Sequence, residues 1–260
     1  MQAVPAADGD DVYLRASALD AALFMLAAGP CRILAGGTDV YPALQDRPLI
    51  GRVLDISGIA DLRVIKQSDE YWSIGAAVSW RDVIRADLPP AFDGLKAAAG
   101  EVGSWQIQNR ATLVGNICNA SPAADGVPAL LTMDAAVELH SCRGRRVVPL
   151  ASFITGNRKT VRAEDEMVTA ILVPNTATAG QGYFYKLGAR RYLVISIGMV
   201  AMRLLCDTEQ TIAEIAIAVG ACSEVATRLG DLERRLCGQP LAGAADLVSA
   251  AHFANLSPID

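Results

Sequence analysis

Residues 112–125 read Thr-Leu-Val-Gly-Asn-Ile-Cys-Asn-Ala-Ser-Pro-Ala-Ala-Asp, and they constrain this chain more than any other stretch. They show neither the alternation of a half-buried strand nor the 3.6-residue period of an amphipathic helix. Thr112 and Ser121 offer hydroxyls, Asn116 and Asn119 offer amides, and Gly115 permits close backbone approach. Asp125 is a natural acceptor for a sugar or ribityl hydroxyl. A surface loop held by Asx and Ser turns has a similar composition. A ligand is favoured because so many small and polar residues gather inside a chain that is 52% hydrophobic. A second segment of this kind lies upstream, Leu34-Ala35-Gly36-Gly37-Thr38-Asp39. Paired glycines let a chain turn tightly and set N–H groups against a pyrophosphate. A helix beginning at Asp39 would add the partial positive charge of its N-terminus. Taken alone, this segment describes an ordinary strand-to-helix turn equally well. Two such loops, far apart in sequence, can fold around one phosphate-bearing ligand.

The rest of the chain narrows the chemistry. A nicotinamide-type dinucleotide fold is disfavoured, because no GxGxxG follows the first strand. The formal charge of −5, without a basic block, argues against nucleic acid. The longest apolar run, residues 193–202, covers about half a bilayer, so no membrane span is expected. The N-terminus lacks the basic-then-apolar order of a signal peptide. Six cysteines, Cys31, Cys118, Cys142, Cys206, Cys222 and Cys237, show no metal-ligand spacing, and His140 and His252 are far apart. Reduced, mostly buried thiols in a cytoplasmic protein fit this pattern, and neither an iron–sulfur centre nor zinc is expected on this chain.

A helix is expected over residues 17–28, capped by Ser17, with a strand at 32–35, a helical turn at 39–45 and a strand at 52–56. Two strands, 62–66 and 72–76, flank a polar turn. Ser79 and Asp82 form a capping box, and a helix interrupted at Gly94 and Gly100 covers 92–102. Residues 103–128 read as loop-rich, followed by a short helix to Met133. A hairpin at 136–149 turns through Cys142-Arg143-Gly144-Arg145, whose arginines, with Arg146, are expected to be solvated; His140 is expected at the surface. A strand spans 167–173. Beyond a linker at 176–181 come strands at 182–187, 196–205 and 212–219, then helices at 224–237 and 241–254. The pattern changes near residue 178, where a domain boundary is placed. Trp72, Trp80 and Trp105 are read as core or loop anchors, Trp105 lying where it can cover a ligand edge.

The two loops, with Asn109-Arg110-Ala111 leading into the second, resemble the FAD-binding medium subunit of the molybdenum hydroxylases, a family that includes xanthine dehydrogenase and carbon monoxide dehydrogenase. Gly156-Asn157-Arg158-Lys159-Thr160 resembles a loop of the xanthine dehydrogenase branch, tilting the substrate of a complex towards purines or similar N-heterocycles. Tyr185-Lys186-Leu187-Gly188-Ala189-Arg190-Arg191 resembles the start of the family's C-terminal flavoprotein domain. The resemblance covers nearly the whole chain. The family often has two glycines where this chain has Val114-Gly115, and some relatives carry an acidic residue near Arg191-Tyr192-Leu193.

The resemblance implies an α+β architecture: a two-subdomain FAD-binding domain of the vanillyl-alcohol-oxidase (PCMH) type over residues 1–177, divided near 57, then a small α+β domain over 178–260. It implies FAD contacts from Leu34, Ala35, Gly36, Gly37, Thr38, Asp39, Thr112, Val114, Gly115, Asn116, Asp125, Val168 and Lys186. Lys186 would sit beside the flavin; as a bare sequence feature it equally fits a solvated strand end. Molybdopterin and [2Fe-2S] clusters are expected on a large and a small partner subunit, with FAD here passing electrons to NAD, quinone or oxygen. A stand-alone flavin oxidoreductase and a cofactor-free scaffold subunit are the alternatives.

Overall fold

A computed structural model describes residues 2–5, 12–190 and 194–258. The first unit is a four-stranded sheet of β1 (Gln2–Pro5), β2 (Val12–Arg15), β3 (Arg32–Leu34) and β4 (Val53–Asp55), in the order β1-β2-β4-β3. Strands β2 and β3 run parallel to β4 on either side, which requires the crossover helix α1 (Leu19–Ala27). Helix α1 buries Ala22, Leu23, Met25 and Leu26. It begins later than expected, with Ala18 as N-cap and no side-chain cap; Ser17 lies one position outside, where its hydroxyl does not bond the first turn. A short helix, α2 (Val40–Leu44), follows β3.

The second unit is a five-stranded antiparallel sheet of β5 (Ile65–Gln67), β6 (Tyr71–Gly75), β7 (Ala136–Ser141), β8 (Gly144–Pro149) and, past the β9/β10 hairpin (Ile154–Gly156 and Lys159–Thr160), β11 (Met167–Pro174). The order is β5-β6-β11-β7-β8. Central β11 is buried along nearly its whole length, as a strand between two others and under helices must be. The connections carry α3 (Trp80–Arg85), α4 (Asp93–Glu101), α5 (Trp105–Gln108), α6 (Leu113–Asn119), α7 (Gly126–Leu131) and α8 (Leu150–Phe153). The Ser79–Asp82 capping box forms: the Ser79 hydroxyl accepts from the Asp82 N–H at 3.2 Å, and the Asp82 carboxylate accepts from the Ser79 N–H at 3.0 Å. Helix α4 runs unbroken through Gly94 and Gly100. The region expected to be loop-rich, 103–128, instead contains α5, α6 and the start of α7. Leu113, Val114 and Ile117 face inward over little more than one turn, too short for a periodicity window to register.

The third unit is a meander of β12 (Gln181–Leu187), β13 (Gly198–Cys206) and β14 (Ile212–Gly220), ending in β15 (Thr227–Arg228), with α9 (Gly230–Leu236) packed on β14. The helix expected from residue 224 starts six residues later, because Thr227 and Arg228 pair with Val219 and Ala218. Arg228 then bonds Glu233 and the Leu131 carbonyl, fixing it in the ladder. The helix expected over 241–254 is two 3₁₀ turns, Ala244–Leu247 and Ala250–Phe253, the first entered through Gly243 at φ +84°.

One apolar core joins all three units. It runs from Leu14 and Leu54 through Trp80, Phe92, Leu113 and Ile171 to Phe184, Met199 and Ala218. The arginines of the β7/β8 hairpin are exposed, as expected, and also form surface ion pairs, Arg143 with Asp165, Arg145 with Glu138 and Arg146 with Glu166. His140 is half-buried, 3.3 Å from Glu138. Among the described residues no helix is long and apolar enough to cross a membrane.

Candidate functional site

A cavity of about 620 Å³ opens where the three units meet. Ala35, Gly37, Thr38 and Asp39 line it from the loop after β3, and Thr112, Val114, Gly115 and Asn116 from the start of α6. Asp125, Val168 on β11 and Lys186 on β12 complete the predicted set. Leu34 and Gly36 do not line it. Leu34 is 4% exposed core, with its carbonyl accepting from the Ile56 N–H. Gly36 lies against the other loop, where an added Cβ would sit 2.0 Å from the Arg110 carbonyl oxygen. Gly37 supplies left-handed backbone at φ +75°. The first glycine therefore lets the two loops touch, and the second turns the chain along the cavity.

Local hydrogen bonds hold these groups. The Thr112 hydroxyl accepts from the Gly115 N–H at 3.0 Å as the N-cap of α6. The Asn116 side-chain oxygen accepts from the Gly126 N–H at 3.3 Å and seats the start of α7. Helix α2 has only five residues, so its dipole is small; Asp39 makes no cap bond and instead accepts from the Asn119 amide at 2.9 Å.

Asp125 is held at both of its carboxylate oxygens. One carboxylate oxygen accepts from Lys186 Nζ at 3.1 Å and the other from Ser196 Oγ at 3.0 Å. The Lys186 side chain is 7% exposed, so it is no solvated strand end. Burial raises the Asp125 carboxyl above its ordinary range, and Lys186 opposes the shift. Each oxygen retains a second lone pair for a ligand hydroxyl.

Four cationic side chains, Arg32, Arg158, Arg162 and Lys186, face two carboxylates, Asp39 and Asp125. The cavity is therefore locally positive in a chain of net charge −5. Arg158 and Arg162 have no carboxylate within ion-pair distance among the described residues, whereas Lys186 is neutralised by Asp125. Neither arginine stands out by spacing, and only the likeness of the 156–160 loop drew attention to Arg158. Ser196 carried no signal at all. Ile33, Val102 and Ile107 add an apolar part to the wall. Trp80 is fully buried, and Trp72 is half-buried edge-on to Phe92. Trp105 is 76% exposed outside the cavity, beneath Arg81. Arg191, Tyr192 and Leu193 lie outside the described residues.

Cys118 also lines the cavity, and burial pushes its thiol up to about 11. Little of it is thiolate at neutral pH. Iodoacetamide at pH 7.5 is expected to label exposed Cys142 and Cys237 first, with Cys118 last, as read by peptide mass spectrometry.

Residues 6–176 match the family model described as the FAD binding domain in molybdopterin dehydrogenase. The chain is 31% identical over 223 residues to the nicotinate dehydrogenase FAD-subunit of Eubacterium barkeri, covering 82% of this chain and 73% of that one. It is 33% identical over 237 residues to the putative xanthine dehydrogenase FAD-binding subunit XdhB of Escherichia coli K12, covering 88% and 80%. A chain of the carbon monoxide dehydrogenase structure from Hydrogenophaga pseudoflava superposes with a TM-score of 0.84 at 26% identity, covering 95% of this chain and 88% of that one. A locally positive cavity between two glycine loops, on a chain with these relatives, leads to one conclusion: the protein belongs to the FAD-binding domain family of the molybdopterin dehydrogenases.

Proposed function

We propose that FAD lies in this cavity and that the chain passes electrons from a partner's iron–sulfur clusters to an external acceptor, NAD, quinone or oxygen. The observation that carries this reading is the character of the wall: two polar loops brought into contact by Gly36, with Arg158 and Arg162 uncompensated beside them. Uncompensated cations fit a pyrophosphate, and the apolar part fits aromatic ring systems. The volume falls within the range of small-molecule and cofactor sites.

In this reading Ala35, Gly37, Thr38 and Asp39 bring the first loop along the pyrophosphate, with Thr112, Val114, Gly115 and Asn116 opposite. Asp125 accepts from a ribityl hydroxyl while holding Lys186. Val168 packs against the ring system and keeps water from it. Leu34 and Gly36 shape the loop from behind. Bound FAD supplies reversible storage of two electrons, which lets one-electron donors be coupled to a two-electron acceptor. Lys186, held in place by its ion pair with Asp125, has N–H groups left over to donate to an acceptor on the cofactor. The substrate would be oxidised at molybdopterin on a large subunit, with the clusters on a small one. The names of the relatives support this, being FAD subunits of dehydrogenases. We assign residues 1–57 and 58–177 to the two subdomains of a PCMH-type domain and 178–260 to the C-terminal domain. The family match over 6–176 and the separate four-, five- and four-stranded sheets support that division.

Purified protein should be yellow and should release all its flavin on acid precipitation, because among the described residues no histidine lines the cavity and burial raises the thiols of the lining Cys31 and Cys118. The flavin should be reduced by the complex's substrate only when both partner chains are added. Protein that takes up no FAD would overturn the assignment. Substrate-driven reduction by the chain alone would instead favour a stand-alone flavoenzyme.

A further inference from the structure

Three separate segments meet at the solvent-facing rim of the cavity through one side chain. The Asn119 amide donates from Nδ2 to Asp39 Oδ1 at 2.9 Å. Its Oδ1 accepts from Arg158 Nη1, which also reaches the Asn119 carbonyl at 3.3 Å. Asp39 belongs to the loop after β3, Asn119 ends α6, and Arg158 lies in the β9/β10 hairpin; all three line the cavity. A primary amide suits this place because it donates and accepts at once, and the charges on either side polarise it in the same sense.

The two ends of this bridge are not held equally. On the hairpin side the backbone is fixed: the Arg158 N–H donates to the Ala120 carbonyl at 2.8 Å, and the Asn157 N–H donates to Glu224 at 2.9 Å. Arg158 and Ala120 both adopt left-handed backbone, at φ +59° and +47°, which non-glycine residues keep only where their surroundings hold them. On the other side, the bond from Asn119 is the side-chain hydrogen bond that ties Asp39 across the opening. It is exposed, so solvent competes with it and it can open.

We propose that Asp39, Asn119 and Arg158 form a polar clasp across the cavity mouth that slows the release of bound FAD. The proposal rests on the reading of the cavity as the FAD site. Asn119 acts by positioning Asp39 and the first loop, not by chemistry on the cofactor.

The test is the rate at which FAD leaves the purified chain after dilution into excess apo-acceptor protein, followed by flavin fluorescence. Asn119→Asp puts two carboxylates face to face and is expected to speed release about tenfold or more, with association changed far less. The swap Asp39→Asn/Asn119→Asp restores a donor opposite an acceptor and leaves Arg158 a carboxylate. It is expected to return release to within about threefold of the original rate, a rescue that general loosening of the fold would not produce. Asn119→Ala removes both bonds of the bridge without adding a charge or touching the cavity's cations; it should act in the same direction as Asn119→Asp and decides the matter if the latter does not fold. Release at the original rate in Asn119→Asp and Asn119→Ala, or a swap no slower than Asn119→Asp alone, overturns the clasp. An unaltered chain that takes up no FAD overturns the cavity assignment and the clasp together.

Discussion

Gly36→Val is expected to lower stability by about 3 kcal/mol or more, at the upper end of overpacking costs. An ideal Cβ at Gly36 lies 2.0 Å from the Arg110 carbonyl oxygen, 2.7 Å from its carbon and 2.9 Å from the Ala111 Cα. These are backbone atoms and have no rotamer to adopt. They are also pinned: the Trp80 N–H donates to the Ala111 carbonyl at 3.0 Å, and Trp80 is fully buried. The two loops must therefore separate, opening the cavity wall. Gly37→Val makes an instructive contrast. There the neighbour is the Tyr41 ring, 2.6 Å away but on a 54% exposed side chain that can swing aside. What remains is the left-handed backbone, costing about 1–2 kcal/mol. Urea unfolding should place Gly37→Val above Gly36→Val in stability, with both depleted of flavin. The reverse order in stability would show that the loops do not meet at Gly36.

Asp125→Ala is expected to cost about 3–5 kcal/mol, because it leaves the buried Lys186 ammonium without its carboxylate. Read only as an acceptor for a hydroxyl, Asp125 would be dispensable for folding. The structure gives it a second duty, and Ser196 loses its acceptor as well. Asp125→Ala/Lys186→Met removes both charges and should recover much of the loss. Flavin affinity separates the two duties: the double variant should fold near normally yet still bind FAD poorly. A single variant as stable as the unaltered chain would mean that Lys186 loses its proton or finds another partner. A double variant with full affinity would leave Asp125 no part in holding the cofactor.

What could be read from the residues was mostly local. The two glycine loops announced themselves by composition, the Ser79–Asp82 box by spacing, and most strands by alternation or apolar runs. What escaped depended on tertiary neighbours. Helix α6 is too short to show a period. The late start of α9 depends on Arg228 reaching Leu131, almost a hundred residues away. Gly36 looked like a ligand-facing glycine, and only the position of Arg110 shows that it serves a contact between loops. Arg162 and Ser196 sit in unremarkable sequence and matter through what they face. The pairing of Lys186 with Asp125 joins residues 61 positions apart, which no spacing rule would select.

The core shared among the three units has a consequence for how the protein comes into being. Phe184, Met199, Ala201 and Ala218 fill the same interior as the first two units, and Lys186 and Ser196 close the cavity wall. During synthesis from the N-terminus, both glycine loops leave the ribosome well before these residues do. The nascent chain must hold an apolar face open to water in that interval, a state suited to chaperone capture. On the proposed reading of the cavity, cofactor uptake is expected only once residue 196 has been made and the wall is complete.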